Sequence, residues 1–137
     1  MATFSFTVPG IIKGKGRPRF VRATGRAYTP QATLSSENLV KHCALDAGAT
    51  PFEGALSLEI WLRLPVPASW PAKKRAAALC GALRPVGKPD LDNVIKLIGD
   101  ALNKIAWNDD GQVATVTASR HYAEESQVGA TISIQQI

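Results

Sequence analysis

Two acidic pairs stand out as the residues able to do chemistry. Asp90 and Asp92 sit where a Gly/Pro-containing loop gives way to a helical pattern, and Asp109 and Asp110 sit where that pattern has ended. Carboxylates gathered at one place repel one another unless a hard cation neutralises them. Mg²⁺ suits that task, because it takes oxygen ligands, keeps several waters and accepts a phosphate as a further ligand, so that a few carboxylates suffice. Such an ion can activate water, orient a phosphate and stabilise a leaving oxygen. Lys96 follows Asp92 by one helical turn and can lie beside the acids.

Each of these residues also has a structural reading. Asp92 suits a helix N-cap, and a carboxylate at Asp90 is favoured by the positive end of the helix dipole. Asp109-Asp110-Gly111 suits a turn before a strand. Lys96 can pair with Asp92 at the surface. Asn93 can orient a ligand or complete a cap, and Asp100, four residues after Lys96, reads as structural. His42 and His121 are isolated and read as structural or exposed. On spacing alone, both readings of the acids stand.

The elements that must position these residues follow from periodicity. Phe4, Phe6 and Val8 alternate with polar residues and predict a strand ending at Pro9-Gly10; the basic segment KGKGRPRF then reads as a loop. A helix is expected from Pro30 to about Gly48, and the alternation of Leu56, Leu58, Ile60, Leu62 and Leu64 predicts a strand over 55–64 with one wet face. Trp70-Pro71 opens a short helix through Cys80, basic at Lys73, Lys74 and Arg75. Leu91, Ile95, Ile98, Leu102 and Ile105 predict an amphipathic helix over 91–105, with Asp92, Lys96, Gly99 and Asn103 on its other side. Segments 112–122 and 127–136 alternate again and read as a closing hairpin. The expected fold is α+β: a single domain over residues 1–137, with helices packed on a mixed β-sheet. A fifteen-residue helix is roughly 22 Å long. The two acidic pairs can therefore meet only if the chain doubles back after Ile105 or a neighbouring subunit helps.

Charge is unevenly placed. The chain is 137 residues long with a net charge of +5, and its first acidic residue, Glu37, follows Lys13, Lys15, Arg17, Arg19, Arg22 and Arg26. This cationic arm is the electrostatic footprint of a polyanion binder: its Lys and Arg can neutralise phosphates, while Gly14 and Gly16 allow close backbone approach. The segment lacks the strand-GxxxxGK[ST]-helix order of a P-loop. Composition is ordinary and globular, at 45% hydrophobic and 20% charged, which argues against a disordered or fibrous chain. No stretch approaches a membrane span and the start has no signal-peptide pattern, so a cytoplasmic protein without a membrane partner is expected. Cys43 and Cys80 are too few for a zinc ribbon or disulfide framework and read as reduced thiols.

The segment KPDLDNVIKLIGDALNKIAWNDDGQV, residues 88–113, resembles the signature of the RusA family of Holliday junction resolvases. It has the Asp-Leu-Asp-Asn opening, a Lys four residues after the second Asp, an Asp-Ala-Leu, and an Asp-Asp-x-Gln-Val close. The GKGRPRF loop and the PASWPAKKRAAALCG segment are similar to phage-type and prophage-type members. Pro89 departs from members that carry arginine before the first Asp, leaving the adjacent Lys88 as the cation at that place.

The resemblance implies a RusA-like domain and a Mg²⁺-dependent endodeoxyribonuclease, with Mn²⁺ as a substitute ion. The homodimer would resolve four-way junction DNA by paired nicks in strands of like polarity. It implies Asp90, Asp92 and Asp110 as essential metal-binding acids, Asp109 as a further metal candidate, and Lys96 as an essential cation that positions phosphate or stabilises developing charge. Lys13, Lys15, Arg17, Arg19, Lys73, Lys74, Arg75 and Lys88 are the expected DNA-binding residues. Two other functions fit the residues: a metal-dependent nuclease acting on other branched or flapped DNA, and a non-catalytic DNA-binding module whose aspartates are only caps.

Overall fold

The computed structural model describes residues 2–13, 19–21, 26–28 and 31–137, with side chains described for 2–13 and 35–137. Among the described residues six strands and three α-helices follow in the order β1 (Thr3–Pro9), β2 (Arg19–Val21), β3 (Arg26–Tyr28), α1 (Gln31–Asp46), β4 (Leu56–Pro65), α2 (Ala72–Leu79), α3 (Leu91–Leu102), β5 (Val113–Ala123) and β6 (Gly129–Gln136). The fold is α+β, as its alternating and helical segments predict.

Four strands form one mixed sheet in the order β1-β6-β4-β5, and β2 and β3 form a separate antiparallel pair. β4 runs parallel to β5 and antiparallel to β6. Parallel neighbours need a long crossover, which α2 and α3 provide between β4 and β5. Residues in register point to the same face, so the sheet carries apolar rows. Phe4, Ile134, Leu58 and Val116 form one row, and Phe6, Ile132, Ile60 and Ala118 the next. Val8, Ala130 and Leu62 form a third that ends on Arg120. Val40 and Ala44 of α1 and Val94, Leu97, Ile98, Ala101 and Leu102 of α3 join the same buried cluster. Each fully buried Leu or Ile contributes about 1.5–3 kcal/mol. The other face of the sheet is polar, and across it Ser5 and Ser133 share a hydroxyl hydrogen bond of 2.8 Å.

Three expectations are corrected. β5 and β6 do not form a hairpin, because β4 lies between them. Ala130, Ile132 and Ile134 are fully buried, as befits a central strand, whereas β5 lies at the edge. Alternation shows that a strand has a wet face and says nothing about its neighbours. Helix α3 stops at Leu102, short of Ile105, because Asn103 leaves helical backbone angles and Lys104 adopts φ 71°. The chain reverses there, with Lys104 N–H donating to the Trp107 carbonyl at 2.8 Å, and Trp107 becomes buried beside Phe52. Within α3 the buried stripe is Val94, Leu97, Ile98, Ala101 and Leu102, while Leu91 and Ile95 are only half-buried. Finally, Arg19 and Phe20 belong to β2 rather than to a loop.

Gly129 is the position where a side chain is excluded. At φ 151° a Cβ would lie 2.3 Å from the Val8 carbonyl oxygen, and that atom is backbone. Gly129→Ala should therefore cost at least about 2 kcal/mol, the scale of one strained backbone position plus a clash. Urea unfolding checks this: an unchanged midpoint would show that β1 and β6 can separate locally at no cost.

Candidate functional site: two acidic pairs at the ends of α3

Asp90 is the N-cap of α3 and Asp92 lies in its first turn, which corrects the expectation that Asp92 caps the helix. Asp90 makes no side-chain capping hydrogen bond. Asp90, Asp92 and Lys96 are all exposed. Among the described residues Asp92 and Lys96 form no ion pair, so the surface pairing open on spacing alone is not made. Two carboxylates and an ammonium group are thus presented to solvent on one side of a helix start whose dipole favours negative charge.

The loop leading into Asp90 is held from β5. Arg120 Nη1 donates to the Gly87 carbonyl at 2.6 Å and to the Pro89 carbonyl at 3.1 Å. Pro89 lacks an N–H, so this part of the loop depends on its carbonyls for anchorage. Sequence reasoning did not single out Arg120. Its signal was an arginine on the inward-facing register of an alternating strand, where charge is unexpected.

The second acidic pair is built differently. Asp109 caps a 3₁₀ turn, Asp110–Gln112, in a capping box with Gln112. Asp109 Oδ2 accepts from Gly111 N–H at 2.9 Å, and Gln112 Oε1 accepts from the N–H groups of Asn108 and Asp109 at 2.7 and 2.9 Å. Gln112 Nε2 donates to the carbonyls of Phe52 at 2.8 Å and Gly54 at 3.1 Å. Gln112, also missed in the sequence, uses both ends of its amide to lock this turn against the segment before β4. Asp110 Oδ1 accepts from the indole N–H of buried Trp107 at 2.9 Å, which aims the carboxylate. Asp109 therefore has a structural duty, and Asp110 keeps Oδ2 uncommitted.

The structure does not bring the two pairs together within one chain. Helix α3 has 12 residues, so its ends are about 18 Å apart. Arg120 holds the loop before Asp90, whereas Asp110 lies just before Val113. From Val113 to Arg120 the strand spans about 23 Å at roughly 3.3 Å per residue. After Leu102 the chain turns into β5, which runs back along α3, so doubling back does not close the gap. Among the described residues no group of three or more His, Cys, Asp or Glu can hold a metal ion.

Those of the expected DNA-binding cations that are described lie on different elements. Lys15 and Arg17 lie outside the described residues, as does the side chain of Arg19. Lys13 is exposed, with its backbone N–H on Ser36 Oγ at 3.3 Å. On α2, Lys73 is exposed, Lys74 lies over the Trp70 ring at 4.0 Å, and Arg75 donates to the Pro67 carbonyl at 2.9 Å. Lys88 is exposed two residues before Asp90. Cys43 and Cys80 are free, and burial, with Asp46 nearby, pushes the Cys43 thiol up. His42 pairs with Asp46 at 3.2 Å on the surface of α1. No helix among the described residues is long and apolar enough to cross a membrane.

His121 stacks on Trp61, with ring centroids 3.6 Å apart, and bridges Ser119 Oγ at 2.8 Å and Arg84 Nη1 at 3.2 Å. Arg84 can only donate, so Nδ1 is the acceptor and Nε2–H faces Ser119. Burial, then Arg84 and Arg63, lower its pKa below the usual 6.5. The unfolded chain then binds more protons near pH 6, so stability rises with pH in that range. This contribution is full above pH 6.5 and is lost as pH falls through the lower folded value. His121→Phe, which keeps the stack, should flatten the fall in melting temperature between pH 7 and pH 5. An identical slope in the variant would assign the pH dependence to other groups.

Comparison with known proteins matches the chain to a family. Residues 9–135 match the family model described as Endodeoxyribonuclease RusA. The chain is also 34% identical over 138 residues to "Uncharacterized protein YqaN" of Bacillus subtilis (strain 168), covering 96% of each chain. The match runs through the cationic arm, strands β4 to β6 and both acidic pairs, and the chain belongs to the RusA family of endodeoxyribonucleases, the Holliday junction resolvases.

Proposed function

We propose that the protein resolves four-way junction DNA in the cytoplasm as a homodimer. Its two sites are each built from Asp90 and Asp92 of one protomer and Asp110 of the other. The observation that carries this is the separation of the acids: Asp90 and Asp92 stand free at one end of α3 and Asp110 beyond its other end. A two-fold axis that runs beside α3, level with its middle, sets each end of the helix near the opposite end of its partner's, so a second copy supplies the missing carboxylate to each site. The two sites then nick two strands of like polarity, related as the junction's own arms are.

The donor set fits Mg²⁺, with Mn²⁺ as a substitute. It consists of hard carboxylate oxygens on exposed side chains, with room for waters and a phosphate. When bound, the ion supplies activation of water and neutralisation of the phosphate. Asp90 and Asp92 hold their side of the site through the rigid helix start, and Trp107 aims Asp110. Lys96, exposed one turn along α3, donates its ammonium protons to a phosphate oxygen as negative charge develops there. Lys13, Lys15, Arg17, Arg19, Lys73 and Lys88 neutralise phosphates along the arms, with Lys74 and Arg75 at the border of that surface. Arg120 positions Asp90 through the Pro89 carbonyl.

Synthetic junction, duplex and flap DNAs, each with and without Mg²⁺, test this reading. Junction-selective, metal-dependent paired nicking is expected; equal cleavage of flaps would favour a general branched-DNA nuclease. Asp90→Asn and Asp92→Asn should abolish cleavage and leave junction binding intact, and near-normal nicking by either would remove it from the site. Lys96→Ala should slow single-turnover cleavage by on the order of a hundredfold. A role confined to the surface would spare the rate. Arg120→Ala should raise the Mg²⁺ concentration for half-maximal cleavage about tenfold, as loss of an outer orienting group does. If only melting temperature moves, Arg120 is structural.

A further inference from the structure

Strand β5 is an edge, and its exposed part is unlike a protected edge. Among the described residues it has no strand partner on the side away from β4. Exposed edges are ordinarily blunted by lysine, proline or an inward charge. Here Val113–Ser119 carries neither charge nor proline, and Ala114–Thr117 are exposed. Beyond it, residues 118–123 are half-buried, with Trp70 packing on Tyr122 and Arg84 bonded to His121. The open stretch is therefore short and bounded.

Its inward face is unfinished as well. Val116 is in register with Leu58 and so points to the core face of the sheet, yet it is 43% exposed where Leu58 is 2% exposed. The opposite edge of the sheet does not share this feature, since Phe6 and Val8 of β1 are buried. A core row that stops at an exposed valine on an uncharged edge lacks a continuation.

We infer that β5 pairs antiparallel with β5 of a second copy about a two-fold axis at Val116, joining the two sheets into one of eight strands. This rests on the dimer of the proposed function and names its surface. The axis is perpendicular to the sheet and keeps both helix layers on one face, which requires paired residues of the same parity. Centring on Val116 satisfies this: Val116 meets the partner's Val116, Ala114 meets the partner's Ala118, and Thr115 meets the partner's Thr117. No like charges face each other, and two β-branched side chains close the apolar row. In the same register Arg120 lies opposite the partner's Gln112. The loop that Arg120 holds, with Asp90 at its end, then approaches the turn that begins at the partner's Asp110. Pairing at β5 thus brings together the ends of α3 that a single chain keeps apart.

A second copy fits this edge better than the cationic arm does, because the edge offers no carboxylate to Lys13, Lys15, Arg17 or Arg19. The test uses the full chain and two variants. Val116→Asp sets two carboxylates against each other on the axis, and in sedimentation equilibrium it should raise the dimer dissociation constant at least tenfold while circular dichroism stays unchanged. Val116→Cys, in a background with Cys43 and Cys80 replaced by Ser, should form an intermolecular disulfide on mild oxidation. Cα atoms facing across an antiparallel pair are about 4.5 or 5.5 Å apart, within disulfide reach. Rapid crosslinking to a dimer that still nicks junctions supports the inference. A wild-type dimer unaffected by Val116→Asp, with no crosslink in Val116→Cys, overturns the β5 surface and leaves the dimeric reading standing. A dimer unaffected by Val116→Asp but lowered in melting temperature places a segment of the same chain on the edge and also overturns it. A wild-type chain that stays monomeric with and without junction DNA and Mg²⁺ overturns both.

Discussion

A helix has a fixed rise, and in this chain the distance between the acidic pairs follows from it. Asp90 and Asp92 start α3, the buried stripe from Val94 to Leu102 clamps it to the sheet, and the chain reverses at Asn103. β5 then returns along the helix, so Asp110 is held at the far end of the same rigid unit. No rotamer change can close a gap of about 18 Å. Charge repulsion and geometry agree here: one chain keeps its two acidic pairs apart.

The polar ties around the site serve that geometry. Arg120, at the end of an otherwise apolar row, fixes the Gly87 and Pro89 carbonyls and so the entry to α3. Gln112 binds Asn108, Asp109, Phe52 and Gly54 and fixes the turn at the other end. Trp107 supplies buried apolar area and aims Asp110 with one indole N–H. Each acidic pair thus has its own anchor, and both anchors reach into the sheet through β5 or the segment before β4.

Much of the fold was legible because alternation and helical spacing are strong over β1, β4 and α3. The ten alternating residues from Leu56 to Pro65 and the stripe of α3 are set by burial, which sequence records directly. Strand partners were not legible: β5 and β6 alternate similarly, and only the identity of their neighbours makes one an edge and the other a centre. The end of α3 was misread because burying Trp107 outweighs continuing the helix to Ile105, and that choice depends on Phe52, far away in sequence. At the candidate site, the acids and Lys96 were visible by type and spacing. Asp109 became a cap and Arg120 an anchor only through partners that no local pattern names.

The central claim, that each site takes carboxylates from two chains, is tested most directly by mixing two inactive variants. Asp92→Asn and Asp110→Asn proteins are separately unfolded, mixed and refolded so that protomers exchange. In the mixed dimer, one site carries both substitutions and the other carries neither. Half of the dimers are then mixed and each has one intact site of two, so nicking of a synthetic junction should return to about a quarter of the wild-type rate. It should be confined to one strand per junction. If the sites lay within single chains, every site in the mixture would contain one substitution, and a mixture no more active than either variant alone would contradict the account.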